Sequence, residues 1–209
     1  MGSRVRPLVV GLTGSIGSGK SSVARLLEER GALIIDADVL AREATEDPQV
    51  LRRIADELGP QFVKDGQLDR QSVAAAVFDD PEARAVLNSI VHPWVGIRRM
   101  QLQAQAMHGS APPPVIVHDV PLLFEVGLDR SVDVTLAVTA PLAARAARVR
   151  RRSGLSEEQV RQRDASQMSQ EEKAARADHV IDNSGSEADL EREVARLWPE
   201  LLARRATGN

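Results

Sequence analysis

The chain has 209 residues, enough for one sizeable core with an appended unit and too few for two average domains. Hydrophobic residues at 43% and charged residues at 27% exclude a disordered or fibrous chain, and a net charge of −3 gives no bulk attraction to nucleic acid or anionic membranes. The absence of cysteine removes disulfides, thiolate zinc sites and cysteine nucleophiles, and no apolar run approaches the roughly 20 residues of a membrane helix.

The opening MGSRVR follows most of an N-myristoylation pattern but carries Arg6 where Ser or Thr is required, and it lacks the apolar segment of a signal peptide. A cytoplasmic protein is expected. Residues 7–13, PLVVGLT, form a short β-branched run bounded by Pro and Gly, which predicts a buried strand. The next stretch, GLTGSIGSGKSS, satisfies the phosphate-loop pattern through Gly14, Gly19, Lys20 and Ser21. Val23, Leu26 and Leu27 then recur at helical spacing up to a stop at Gly31.

A strand running into a glycine loop and then a helix points successive backbone N–H groups at an anion, with the helix N-terminus adding its positive partial charge. A side chain would obstruct that approach, hence glycine. Ser15, Ile16, Gly17, Ser18, Gly19, Lys20, Ser21 and Ser22 are therefore expected to hold ATP, with Lys20 against the β- and γ-phosphates and the Ser21 hydroxyl on Mg²⁺.

ALIIDAD, residues 32–38, reads as a second buried strand ending on two acids, and completes a strand–helix–strand unit of a parallel sheet. Period-two alternation puts Asp36 and Asp38 on one side, facing the space before the loop. Asp38 is taken as the base that orients an acceptor hydroxyl and removes its proton, and Asp36 as the more structural of the two; either could instead cap the following helix.

From residue 39 to about 108 no strong strand is visible. VLRRIADEL and VLNSIVHPWVGIRRMQLQAQAM carry helical spacing, with breaks at Asp47-Pro48, Gly59-Pro60, Lys64-Asp65-Gly66 and Asp80-Pro81. So long an interval between sheet strands predicts a helical insertion. His92-Pro93 either ends a helix or belongs to a site.

APPPVIVHDV gives a third strand ending at Asp119, VDVTLAV a fourth and ADHVIDNSG a fifth. Asp119, beside the loop strand, is expected to serve a magnesium-bound water, or else to be an ordinary strand-end residue. Between strands four and five, Arg145, Arg148 and Arg152 share a helical face. They suit the distributed charge of a transferring phosphoryl group, against a solvated basic face or a nucleic-acid patch; the 2% aromatic content argues against base stacking. The polar helices of residues 154–177 read as a cap, and Leu190, Val194, Leu197 and Leu201 make an amphipathic tail that should pack on the sheet. His118 and His179 read as structural.

The guanine-reading Asn-Lys-x-Asp of a GTPase is absent, and LSEEQ at 155–159 lacks the glycines of a transporter signature. A small-molecule kinase remains. Taken in order, VGLTGSIGSGKSSVA, IIDADVLARE, IVHPWV, DVPLLFE, RVRRRSGLSEEQVRQR and QMSQEEKAARADHVIDNSG resemble the dephospho-coenzyme A kinase family over most of the chain.

The resemblance implies an α/β phosphate-loop kinase fold: a five-stranded parallel sheet flanked by helices, with a helical acceptor-binding insertion and a lid. Residues 1–38, 110–153 and 178–209 would form the nucleotide-binding core, 39–109 the insertion and 154–177 the lid. It implies transfer of the ATP γ-phosphate to the ribose 3′-hydroxyl of dephospho-coenzyme A, the last step of coenzyme A synthesis. By the resemblance Asp38 activates that hydroxyl, Lys20 steadies the phosphate, and Arg148 bridges ATP phosphates in the closed form. Arg42, His92, Pro121 and Leu122 fall near the acceptor, and Asn183 near adenine. Neither nucleic acid nor membrane is an expected partner, and the oligomeric state is left open. The loop has Ser15 where the family often has a second glycine, and Ser22 for a frequent threonine; both substitutions keep the loop's small or hydroxylic character.

Overall fold

A computed structural model describes residues 6–207; the rest of the opening motif, residues 1–5, lies outside the described residues. Strand β1 (Leu8–Gly14) is buried at every position, as a parallel strand covered on both faces must be. Helix α1 (Lys20–Glu28) starts from Gly19 and buries Val23, Ala24, Leu26 and Leu27. Strand β2 (Leu33–Asp36) is shorter than expected, because Asp36 is the N-cap of α2 (Ala37–Ala44). Its Oδ1 accepts from the backbone N–H of Asp38 at 2.7 Å and of Val39 at 3.2 Å. Asp38 thus lies in the first turn of a helix, which corrects the expectation that both acids sit on one strand face. The cap satisfies orphan helix donors that a continuing strand would not have.

Helix α3 (Pro48–Glu57) is followed by a 3₁₀ turn (Pro60–Phe62) and a hairpin of β3 (Val63–Lys64) with β4 (Gln67–Leu68). The sequence reading has no strand here. Two-residue strands are too short to show alternation, and only the positive φ of Asp65 (51°) and Gly66 (74°) at the tip marks the turn. Helices α4 (Arg70–Asp79) and α5 (Pro81–His108) follow. His92-Pro93 does not end α5; Pro93 is inside it, at the cost of the hydrogen bond to the Ser89 carbonyl.

The chain then runs through β5 (Val115–Asp119), a 3₁₀ turn (Leu128–Ser131), β6 (Val134–Thr139), α6 (Leu142–Ser153), α7 (Glu157–Ala165), α8 (Gln170–Arg176), β7 (His179–Asp182) and α9 (Glu187–Thr207). The five-stranded parallel sheet has the order β2-β5-β1-β6-β7. Leu12 of β1 lies opposite Asp119 of β5, and Gly14 opposite Val138 of β6. The central strand therefore delivers the glycine loop between the carboxyl ends of two neighbours, where open α/β sheets present ligand-binding residues.

Two compact units are formed, one from residues 6–35 and 106–207 and the other from residues 36–105. In the first, Leu8, Val10 and Leu12 of β1 pack with Val23 and Leu27 of α1 and with Leu190, Val194, Leu197 and Leu201 of α9. The amphipathic tail is thus buried as its spacing predicts. In the second, Ala44, Val50, Ile54, Ile90 and Val91 form a separate small core. Trp94 donates its indole N–H to Asp47 at 3.0 Å, and this bond with the N–H groups of Gln49 and Val50 holds the Asp47 carboxyl below its ordinary range.

Two carboxylates pin the start of β6. Asp133 accepts from Arg6 at 2.8 and 2.7 Å and from Val9 N–H at 2.8 Å, and Asp178 accepts from the Thr135 N–H and hydroxyl, each at 2.8 Å. Burial opposes ionisation of both, yet these bonds outweigh it and hold both pKa values below the ordinary 3.8. Stability from such groups is complete above the unfolded pKa and lost as pH falls through the folded one. Unfolding free energy in urea is therefore expected to decline as pH falls below about 4, and less steeply in Asp133→Asn, which is less stable at pH 7.

Candidate active site

The loop between β1 and α1 is held by side chains far away in sequence. Arg148 of α6 donates through Nη1 to the carbonyls of Ser18 (3.2 Å) and Gly17 (3.4 Å) and through Nη2 to that of Asn183 (2.8 Å). The Asn183 amide donates to the Ser18 carbonyl at 2.8 Å. Gly17 and Gly19 both have positive φ, 77° and 97°. A Cβ would stand 2.6 Å from the Arg145 carbonyl at Gly17 and 2.0 Å from Asn183 Nδ2 at Gly19. The sequence reading explains the glycines by the approach of a phosphate. The structure adds two causes, left-handed backbone and close packing of α6 and Asn183 against the loop.

At the loop's end, Lys20 forms a short, mostly buried ion pair with Asp119 of β5, itself 2% exposed. Ser15 and Ser18 are buried, with hydroxyl oxygens that have no hydrogen-bond partner among the described residues, while Ser21 is exposed and Ser22 half-buried. The three arginines of α6 do not share one fate. Arg145 is buried in a two-bond ion pair with Asp164 of α7 (2.8 and 2.6 Å), Arg148 serves the loop, and Arg152 is exposed. The common basic face expected from spacing is thereby corrected, since Asp164 neutralises one member of it.

Of the acceptor candidates, Asp38 and Arg42 are exposed one turn apart on α2, where Arg42 Nε donates to the Asp38 carbonyl at 3.2 Å. With Asp36 committed to the cap, the Asp38 carboxylate has no hydrogen bond to any described residue. His92 is exposed on α5 of the same unit. A cleft of about 500 Å³ in that unit is lined by Glu43, Asp47, Trp94, Ile97 and Arg98. Pro121 and Leu122, in the loop-bearing unit, are half-buried.

The sequence reading misses Lys173, 1% exposed on α8, which donates to the Pro121 carbonyl at 2.6 Å and pairs with Glu125 at 3.0 Å. Its helix packs on β1 and β6, although residues 154–177 read as a polar cap. The available signal was rarity, since only Lys20, Lys64 and Lys173 are lysines among 27 basic residues.

The donor set suits Mg²⁺. Among the described residues no cluster of three or more His, Asp and Glu could cage a cation. Mg²⁺ beside a nucleotide is instead bound mostly by phosphate oxygens and water, with one or two protein donors. Ser21 and Asp119 offer those donors.

The family model for dephospho-CoA kinase matches residues 8–189. The dephospho-CoA kinase of Thermobifida fusca is 48% identical over 199 residues, covering 94% of this chain and 98% of the relative. A crystal structure from Thermus thermophilus, 42% identical, superposes with a TM-score of 0.79 over 94% of this chain and 98% of its own. The dephospho-CoA kinase structure from Campylobacter jejuni is 25% identical, with a TM-score of 0.63 over 92% and 96%. Likeness at this level over nearly the whole length, together with a braced phosphate loop at the sheet's carboxyl edge, establishes that the chain belongs to the dephospho-CoA kinase family.

Proposed function

We propose that the braced loop and the Lys20–Asp119 pair bind Mg-ATP, and that Asp38 readies the ribose 3′-hydroxyl of dephospho-coenzyme A to take the γ-phosphoryl group, giving coenzyme A and ADP in the final step of coenzyme A synthesis. The observation that carries it is the Lys20–Asp119 pair, which sets an ammonium and a buried carboxylate side by side where the loop meets α1.

On entry of the triphosphate, the loop N–H groups donate to its oxygens and the Lys20 ammonium turns from Asp119 to the β- and γ-phosphates. Ser21 and Asp119 would hold Mg²⁺ beside the nucleotide, where it would supply neutralisation of phosphate charge. Arg148 keeps the loop shaped and extends its guanidinium to the phosphates, and Asn183 serves the adenine end while bracing Ser18. Asp38 accepts the proton of the attacking hydroxyl, with Arg42, His92, Pro121 and Leu122 around the acceptor. In this reading residues 39–109 are the acceptor unit and 154–177 the lid. Within that lid α8 is anchored by Lys173, and α7 is tied to α6 by the Arg145–Asp164 pair. No helix among the described residues is long and apolar enough to cross a membrane, and a small-molecule acceptor with ATP suits a cytoplasmic enzyme.

Incubation of the protein with Mg-ATP and dephospho-coenzyme A should yield coenzyme A and ADP in equal amounts, read by chromatography. Hydrolysis of ATP without acceptor should be much slower, since the transfer requires a closed site. Phosphorylation of nucleosides or nucleotides in preference to dephospho-coenzyme A would overturn the acceptor assignment.

A further inference from the structure

Lys173 is the largest of the fully buried side chains, and the proposed transfer chemistry does not use it. Its ammonium is held by the Pro121 carbonyl at 2.6 Å and by Glu125 Oε1 at 3.0 Å. The same Glu125 oxygen accepts from the Met168 N–H at 3.0 Å. The same Pro121 carbonyl accepts from the Thr13 hydroxyl at 2.9 Å, and Thr13 is fully buried in β1, next to the first loop glycine, Gly14. Farther along, Arg176 of α8 lies 4.6 Å above the Phe124 ring and pairs with Asp129 at 3.2 Å. One short helix thus holds the segment from 121 to 129 at four residues, Pro121, Phe124, Glu125 and Asp129.

A buried ion pair is a poor source of net stability, because desolvation cancels much of the attraction and apolar side chains of equal volume do as well. What such a pair does supply is position. Proline has no N–H, so the carbonyl is the one backbone group by which Pro121 can be fixed, and two donors from separate elements converge on it. The chain otherwise prefers arginine strongly. The compact Lys173 ammonium meets one carbonyl and one carboxylate oxygen as a point charge, without the planar fork of a guanidinium.

We propose that Lys173 is a positioning residue for the acceptor: with Thr13 it clamps the Pro121 carbonyl and thereby sets where Pro121 and Leu122 meet dephospho-coenzyme A. The proposal rests on the acceptor reading given above. It also makes α8 part of the acceptor site's foundation, joined to the strand that carries the phosphate loop.

Steady-state kinetics with ATP and dephospho-coenzyme A varied separately test this on Lys173→Met, which keeps the stem and volume and removes the ammonium. The KM for dephospho-coenzyme A should rise about tenfold or more, while the KM for ATP stays within about twofold, since misplacing a contact group by a fraction of an ångström penalises only the ligand it touches. Glu125→Gln retains an acceptor for Met168 and weakens the hold on Lys173. It should shift the acceptor KM in the same direction by a smaller factor, and it carries the test if Lys173→Met does not fold. An active wild type with unchanged acceptor KM in the folded variant, or with both KM values moving together as Tm falls, overturns the inference alone. A wild type inactive on dephospho-coenzyme A removes the functional reading and this inference with it.

Discussion

Asp38→Asn is expected to lower kcat by about 10²–10⁴ while leaving the Kd for Mg-ATP, measured by calorimetry, within about twofold. Asparagine keeps the size and polarity of the side chain but cannot take a proton, so the loss isolates proton acceptance from binding. The geometry supplies a matched control. Asp36 gives its Oδ1 to the N–H groups of Asp38 and Val39, so it is occupied by the helix it caps, and Asp38 alone is exposed without a described partner. Asparagine caps helices as well as aspartate does, so Asp36→Asn should retain α2 and change kcat by no more than about threefold. Equal losses in the two variants would mean that the base has been assigned to the wrong acid. A kcat for Asp38→Asn within threefold of wild type would remove base catalysis at α2 altogether.

Lys20→Met should reduce kcat/KM by about 10³, equivalent to about 4 kcal/mol of transition-state stabilisation, because the loop N–H groups and Arg148 remain but the ammonium at the β- and γ-phosphates is gone. The loss should fall largely on kcat if the ammonium acts on charge that develops during transfer, and on the ATP KM if it only binds the ground state. Asp119, almost fully buried, loses its ion-pair partner in this variant, so Tm should also fall. Mg-ATP should restore part of that loss, since binding stabilises the folded state and its Mg²⁺ would set positive charge beside Asp119. A variant that keeps wild-type turnover would leave the Lys20–Asp119 pair as a structural feature only.

Much of the site was legible locally. A β-branched run, a glycine loop and an amphipathic helix follow one another within residues 8–28, and each is specified by side chains within a few positions of itself. The hairpin at 63–68 escaped because two-residue strands carry no period. The Asp36 cap stood only as an alternative, because a strand ending and a helix beginning on the same acid look alike until the backbone turns. Arg145 and Arg148 look equivalent on a helical wheel, and only Asp164 and the carbonyls of Ser18 and Asn183 separate a neutralised arginine from one that serves the loop.

The sequence by itself determined the succession of the five sheet strands along the chain, the glycine loop between the first strand and its helix, and the family. Those features depend on backbone preference and short-range spacing, which neighbours in sequence encode. Only the tertiary structure decided which polar side chains are already committed: Asn183 to a carbonyl 165 positions away, Arg145 to Asp164, and Lys173 to Pro121, 52 positions away. A charged group buried in a protein must find its partner wherever the fold brings one within hydrogen-bond reach, and no local pattern records that partner.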